Sequence, residues 1–466
     1  MNRCSLVSRM KICGWLVGAS MAFVAARPLF AQEDLIELVL GFLGDEDKEV
    51  RALAFEQIRT EAKGEQATKQ FAAQLPRLSS EAQIGLLSAL ADRGDQVAGP
   101  AVVELLNNSS DLPVRLAAIQ AIGHLGQPAD HVRLIKILTG GSKAEQSAAR
   151  DALVRLGDNS VSTEIAGKLS VSPQKVHVAL LEILTTRRAI GATPQMLAST
   201  VVEDAVVRSA AMAALGKLAG PEHVAGMING VLKAERGRER EAAEKAVAMV
   251  CQRIEDINKR AEPVLAARKK LGQSDQMIVL STLGRVGGVP ALKVVEEAIA
   301  NADPAAHEMG LRALCNWPDA SVVGRLLELA RIEMRPEHRR MALRALIRVA
   351  TLSDKRTDGH RLDVLRTAIV MSRTDSERDL VLQRAQAIRT IESLRFIQPY
   401  LSQPTYAERA CLTVVELAHH RKLREPNKAE FDKVLDQVIA TTENAVIIDR
   451  AKRYKKDQTW VRPGAK

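Results

Sequence analysis

Asp111-Leu112-Pro113-Val114-Arg115-Leu116-Ala117-Ala118-Ile119-Gln120-Ala121-Ile122-Gly123-His124-Leu125-Gly126 is the stretch that decides the fold. It opens on an aspartate, runs through a helical phrase in which one polar residue is flanked by apolar ones, and closes on glycine. The central phrase returns twelve times, as in Leu181-Glu182-Ile183-Leu184, Leu311-Arg312-Ala313-Leu314 and Leu343-Arg344-Ala345-Leu346. Its polar position falls at Glu56, Ser88, Gln120, Asp151, Glu182, Ala213 (the one apolar exception), Lys245, Ser281, Arg312, Arg344, Arg384 and Glu416. Most steps are 31 or 32 residues, with longer ones of 36 and 40 in the second half. A fixed period of that size means stacked supersecondary units, each burying its apolar face on its neighbours.

Each unit has the same order. A first helix carries phrases such as His131-Val132-Arg133-Leu134-Ile135-Lys136-Ile137-Leu138 or Val289-Pro290-Ala291-Leu292-Lys293-Val294-Val295, and a short polar turn leads to the second helix. Three second helices open alike, at Asp47-Lys48-Glu49-Val50-Arg51, Asp111 to Arg115, and Asp204-Ala205-Val206-Val207-Arg208. Aspartate there accepts orphan backbone N–H groups at the positive end of the helix dipole. The arginine four residues on lies on the same helix face. Glycine at 126, 157, 220 and 287 is placed for left-handed caps. Aromatic residues are 3% of the chain, and no long run alternates with the period of a half-buried strand. The fold class is therefore all-α, an α-α superhelix of about 12 helix pairs.

This order resembles the HEAT repeat in its short bacterial form, also seen in phycobilin-lyase-type proteins. The resemblance rests on the Asp-x-x-Val-Arg starts, the phrases Ala118 to Ile122 and Ala211 to Leu215, and the glycine ends, and it covers roughly residues 35–440. The start is degraded at Ser80 to Gln83, Arg238 to Glu241 and Asp375 to Asp379. The resemblance implies that second helices line a concave face. It also implies that Asp47, Arg51, Asp111, Arg115, Asp204 and Arg208 bond between neighbouring repeats.

Residues 1–31 read differently. Arg3, Arg9 and Lys11 precede an apolar stretch from Ile12 to Ala26, with Ala31 or Ala26 as exit points. That is the pattern of a cleaved secretory leader, too short for a membrane span, and places the mature chain in the periplasm or outside the cell. Its removal lowers the formal net charge from +10 to +6 and leaves Cys251, Cys315 and Cys411, read as buried thiols rather than a disulfide scaffold. The chain divides into this leader, a repeat array over 32–440, and a basic cap and tail over 441–466 containing Arg450, Lys452, Arg453, Lys455 and Lys456. Residues 233–270 are densely charged and read as extended helices, and 353–362 as a polar loop.

No nucleophile elbow, P-loop, zinc-protease helix or calcium loop occurs. The nine histidines are scattered, adjacent His419 and His420 diverge on a helix, and His307-Glu308 is the one His-Glu pair. Neither a catalytic residue, a metal site nor a cofactor is expected. What remains is the polar column. Glu56, Asp151 and Glu182 lie in its first half, and Lys245, Arg312, Arg344 and Arg384 in its second, with Arg340 and Arg348 flanking Arg344 at four-residue spacing. The column is read either as a solvated helix face or as a groove whose basic half receives an acidic segment of a protein partner. The expected function is a non-enzymatic exported scaffold for protein–protein interaction. A maturation factor of the lyase class and a polyanion-binding module are the alternatives; nucleic acid is not expected.

Overall fold

The computed structural model describes residues 32–157 and 159–461. The expected leader, residues 1–31, lies outside the described residues. Among these residues the secondary structure is helical, with no β-strand, and no helix is long and apolar enough to cross a membrane. The chain is a HEAT-like helical repeat that forms two compact units, one ending at Ala219 and the other beginning at Gly220.

In the first unit the second helices are Lys48–Thr60, Ser80–Arg93, Leu112–Leu125, Lys143–Arg155, Gln174–Thr186 and Ala205–Leu218. In the second they are Arg238–Cys251, Gln273–Val286, Pro304–Cys315, Pro336–Ala350, Asp375–Ala385 and Pro404–His419. A thirteenth pair follows, Lys428–Thr441 with Ala445–Lys455. The sequence boundary at 441 therefore cuts a helix pair that packs on Pro404–His419. Within each unit a second helix packs on its own first helix and on the second helices before and after it. The recurring phrase explains this packing: Ala118, Ile119 and Ile122 are fully buried while Gln120 between them is exposed. Small residues let second helices approach closely. A Cβ on Gly284 would lie 2.1 Å from the Ala313 carbonyl oxygen, and one on Gly123 would lie 2.9 Å from the Ala152 Cα.

The aspartates and arginines of the helix starts divide their work. Asp47 and Asp204 cap their own helices, accepting from Glu49 N–H at 2.8 Å and from Val206 N–H at 2.9 Å. Asp111 makes no such bond. The arginines do the bridging. Arg51 donates to the Asp45 carbonyl at 2.8 Å and reaches Glu81 of the next pair at 2.7 Å. Arg115 donates to the Leu106 carbonyl at 2.8 Å and to Glu145 of the next pair at 2.8 Å. Each of these two guanidinium groups thus satisfies carbonyls of the preceding segment, in the turn before its own helix for Arg51 and at the helix end for Arg115, and binds an acid at the start of the next second helix.

Other expectations need correction. Of the four glycine ends, Gly287 is left-handed (φ 78°). Gly126 has an extended backbone, and a Cβ there would meet the Ile122 carbonyl oxygen at 2.5 Å, so it is required for close packing. Residues 233–270 are not extended helices. Helix Arg238–Cys251 stops, irregular turns follow to residue 261, and a short helix Glu262–Arg268 opens the next pair with Gln273–Val286. These turns lean on Gly288 (φ 89°), where a Cβ would lie 2.7 Å from the Ile257 carbonyl oxygen. Of the expected loop at 353–362, the last part is helix, because Thr357 caps Asp358–Met371.

Candidate functional site

The column residues share one environment. Glu56, Ser88, Gln120, Asp151, Glu182 and Ala213 are exposed in the first unit, and Lys245, Arg312, Arg344 and Arg384 in the second, while Ser281 and Glu416 are half-buried. The flanking residues enforce this, since Leu343 and Leu346 are fully buried on either side of Arg344 and Ala345 is 5% exposed.

The two units differ in how these charges are used. In the first, Glu56 pairs with Arg59 of its own helix at 3.5 Å, and Glu182 pairs with Arg150 of the preceding second helix. In the second, Lys245, Arg340, Arg344 and Arg384 have no ion pair among the described residues. Arg312 is exposed but occupied, donating from Nε and Nη2 to one oxygen of Glu308 at 2.9 and 2.6 Å. That bond is the main reason the Glu308 carboxyl sits below its ordinary value. Arg348 departs from the expected column. Its guanidinium turns inward and donates to the Cys315 carbonyl at 3.1 Å and the Trp317 carbonyl at 2.7 Å. Burial lowers its pKa, and the nearby positive charges of Arg384 and Arg285 push the same way.

Arg348 belongs to a second arginine row that sequence reading missed. Arg187 donates from Nη1 to the carbonyls of Leu153, Val154 and Leu156 at 2.8, 3.1 and 2.6 Å, and from Nε to Ser162 at 2.9 Å. Arg93 donates to the Ile58 carbonyl at 2.9 Å and to the Gly64 carbonyl at 3.1 Å. All three stand four or five residues after a column residue. Each clamps the carbonyl end of the preceding second helix, where cationic donors complement both the unsatisfied oxygens and the dipole. Their recurrence at that offset was the available signal.

The basic C-terminal patch is largely neutralised by partners. Arg450 is buried, pairs with Glu416 at 2.6 Å and stacks over the Trp460 ring at 4.8 Å. Arg453 pairs with Asp449 at 2.9 Å, and Lys455 pairs with Asp436. Cys251, Cys315 and Cys411 are free thiols, buried or half-buried. His419 and His420 rings lie 5.8 Å apart at 72°, and His419 Nδ1 lies 2.9 Å from the Tyr454 hydroxyl. One group of potential metal ligands occurs among the described residues, and it lies elsewhere: His307, Glu333 and His338. The sequence places Glu333 in neither a motif nor a repeat signature, so only the fold brings it to the two histidines.

No protein-family model and no curated protein matches the chain. Among solved structures it is similar to Kap121p bound to Pho4p, with a TM-score of 0.47 and 13% identity over 91% of this chain and 53% of that one. Kap121p bound to Ste12p gives a TM-score of 0.48 at 11% identity, covering 91% and 53%. The CpcE–CpcF phycocyanin lyase complex from Nostoc sp. PCC7120 gives 0.26 at 20% identity, covering 53% of this chain and 97% of that one. The chain thus spans about half the length of the Kap121p chains it matches. At these similarities the neighbours carry no information about what this chain binds.

Proposed function

We propose that the chain is an exported, non-enzymatic scaffold that binds an acidic segment of another protein along the second helices of its C-terminal unit. The observation that carries this reading is the row Lys245, Arg344 and Arg384, joined by Arg340. Lys245, Arg344 and Arg384 are exposed at equivalent positions of their repeats, Arg344 and Arg384 in successive ones, Arg340 is exposed one turn before Arg344, and none of the four has an acidic partner among the described residues. The fold supplies acids freely elsewhere, as Arg339 with Glu377 and Arg285 with Glu244 show. Unpaired Arg344 and Arg384 stand one repeat apart, roughly 10 Å for packed helices, with Lys245 three repeats before Arg344, a spread that suits carboxylates along an extended strand or helix. Guanidinium groups add bidentate geometry. On this reading the row lies on a concave face, and Arg312 joins only by releasing Glu308.

The test is fluorescence anisotropy with a labelled poly-glutamate peptide, followed by capture from the envelope fraction of the exporting cell. Binding should weaken as salt rises and be lost when Lys245, Arg344 and Arg384 are reversed to glutamate with helicity unchanged. Reversing Lys48, Lys175 and Lys293, outside the column, should matter much less. Equal loss from both triple reversals would reduce the effect to net charge and reject the reading.

A further inference from the structure

The two histidines of the ligand group are 31 residues apart, one repeat, so they occupy nearly equivalent places on adjacent second helices. His307 lies in the first turn of Pro304–Cys315 and His338 in the first turn of Pro336–Ala350. Their rings stack with centroids 5.5 Å apart at 27°. Glu333, the residue that ends helix Val323–Ile332, brings its carboxylate to both rings. One oxygen is 3.0 Å from His307 Nε2, and the other is 3.7 Å from His338 Nδ1.

The hydrogen bonding around this group is incomplete in a particular way. His307 Nδ1 lies 2.7 Å from the Ile299 carbonyl oxygen. A carbonyl only accepts, so Nδ1 carries a proton, and in the neutral form of the ring the lone pair of Nε2 faces Glu333. Two acceptors at 3.0 Å repel unless a cation or a proton lies between them. His338 is 2% exposed, and its Nδ1 has no hydrogen-bond partner. A buried ring nitrogen without a partner is costly, and here it is aimed at the same carboxylate.

We propose that His307 Nε2, Glu333 and His338 Nδ1 form a binding site for a borderline transition-metal dication of the Zn2+ type, bridging two neighbouring repeats. Two imidazoles and one carboxylate are the donors such ions prefer. With bonds of about 2.0–2.1 Å, tetrahedral ligand atoms stand about 3.4 Å apart. The three donor atoms here lie within 4.8 Å of one another, so small rotamer changes suffice. The Ile299 carbonyl serves as the outer partner that fixes the His307 tautomer, as ligating histidines commonly require. Three protein ligands leave a further position open to water or to a donor from a bound partner.

The experiment uses the full chain, stripped with chelator and dialysed against Zn2+ alone, with bound metal measured by mass spectrometry. Co2+ replaces Zn2+ for visible d–d spectra. One equivalent should bind, with tetrahedral Co2+ bands and a raised melting temperature. His307→Gln and Glu333→Gln, both at half-buried positions, should each weaken binding at least about tenfold, while His420→Gln should not. These two variants keep the test decisive if His338→Ala fails to fold, and circular dichroism checks their helicity. Absence of stoichiometric binding, or binding untouched by both variants, would overturn the proposal and leave a proton-sharing His–Glu–His cluster.

Discussion

Arg187→Ala is the substitution that most directly tests how neighbouring repeats are held together. Arg187 directs three donor contacts at the preceding pair, to carbonyls at the end of Lys143–Arg155, and a fourth to Ser162 in the first helix of its own pair. A hydrogen bond involving a charged group contributes about 1.5–3 kcal/mol when counted singly. Contacts from one guanidinium are not additive, and burial opposes them, lowering the pKa of Arg187. Water can also reach part of the vacated space. The expected loss is therefore on the order of 2–4 kcal/mol, well below the sum of the separate bonds. Arg187→Met retains the aliphatic stem and should recover little of it. Arg187→Lys, a point charge that cannot fan across three oxygens, should fall between. Urea unfolding followed by far-ultraviolet dichroism gives the total. Because repeat arrays can lose cooperativity, amide exchange along Lys143–Arg155 locates the loss. Stability within about 0.5 kcal/mol of wild type for Arg187→Ala, or full recovery in Arg187→Met, would show that the carbonyl bonds contribute nothing net and that the stem only packs.

Three further outcomes follow from neighbouring observations. Arg188 is exposed with φ 54°, a left-handed conformation that costs an ordinary residue about 1 kcal/mol, so Arg188→Gly should leave the melting temperature unchanged or raise it by a few degrees. Glu145 accepts from the Ser142 backbone and from Arg115, which hold its carboxyl below the ordinary 4.5. Its depressed folded pKa means the stability it adds is fully present above the ordinary value and drains away as pH falls from there through the folded pKa. Acid unfolding curves should therefore be shallower in Glu145→Gln. Burial pushes Cys251 and Cys315 up to about 12 and Cys411 up to about 11, so all three should resist alkylation at pH 8 in the native chain. In denaturant, three thiols should react if the leader with Cys4 and Cys13 has been cleaved, and five if it has not.

The sequence revealed what repeats and concealed what the stacking brings together. Exposure of Gln120 or Arg344 was legible because apolar neighbours on both sides leave a helical side chain one direction to point, and the phrase states this within five residues. The fate of Arg348 was not. It lies four residues from Arg344 on the same helix, and nothing local separates a side chain that reaches solvent from one that turns to the carbonyls of Cys315 and Trp317. The acceptors are 31 and 33 residues away, and only the offset of the stacked helices makes them near. The same reason hid Glu333 between His307 and His338. A charge row can be counted from sequence, but whether a charge is free depends on acids one repeat away. Arg150 with Glu182 and Arg115 with Glu145 are paired across repeats in the first unit, whereas Arg344 and Arg384 meet no acid among the described residues. This difference makes the C-terminal row a reasonable place to look for a partner, since forming an ion pair there breaks none already made. At Arg312 the partner must compete with Glu308 on the same helix. Glu308→Gln should therefore strengthen capture of an acidic peptide. Unchanged or weaker capture in that variant would place Arg312 outside the binding row.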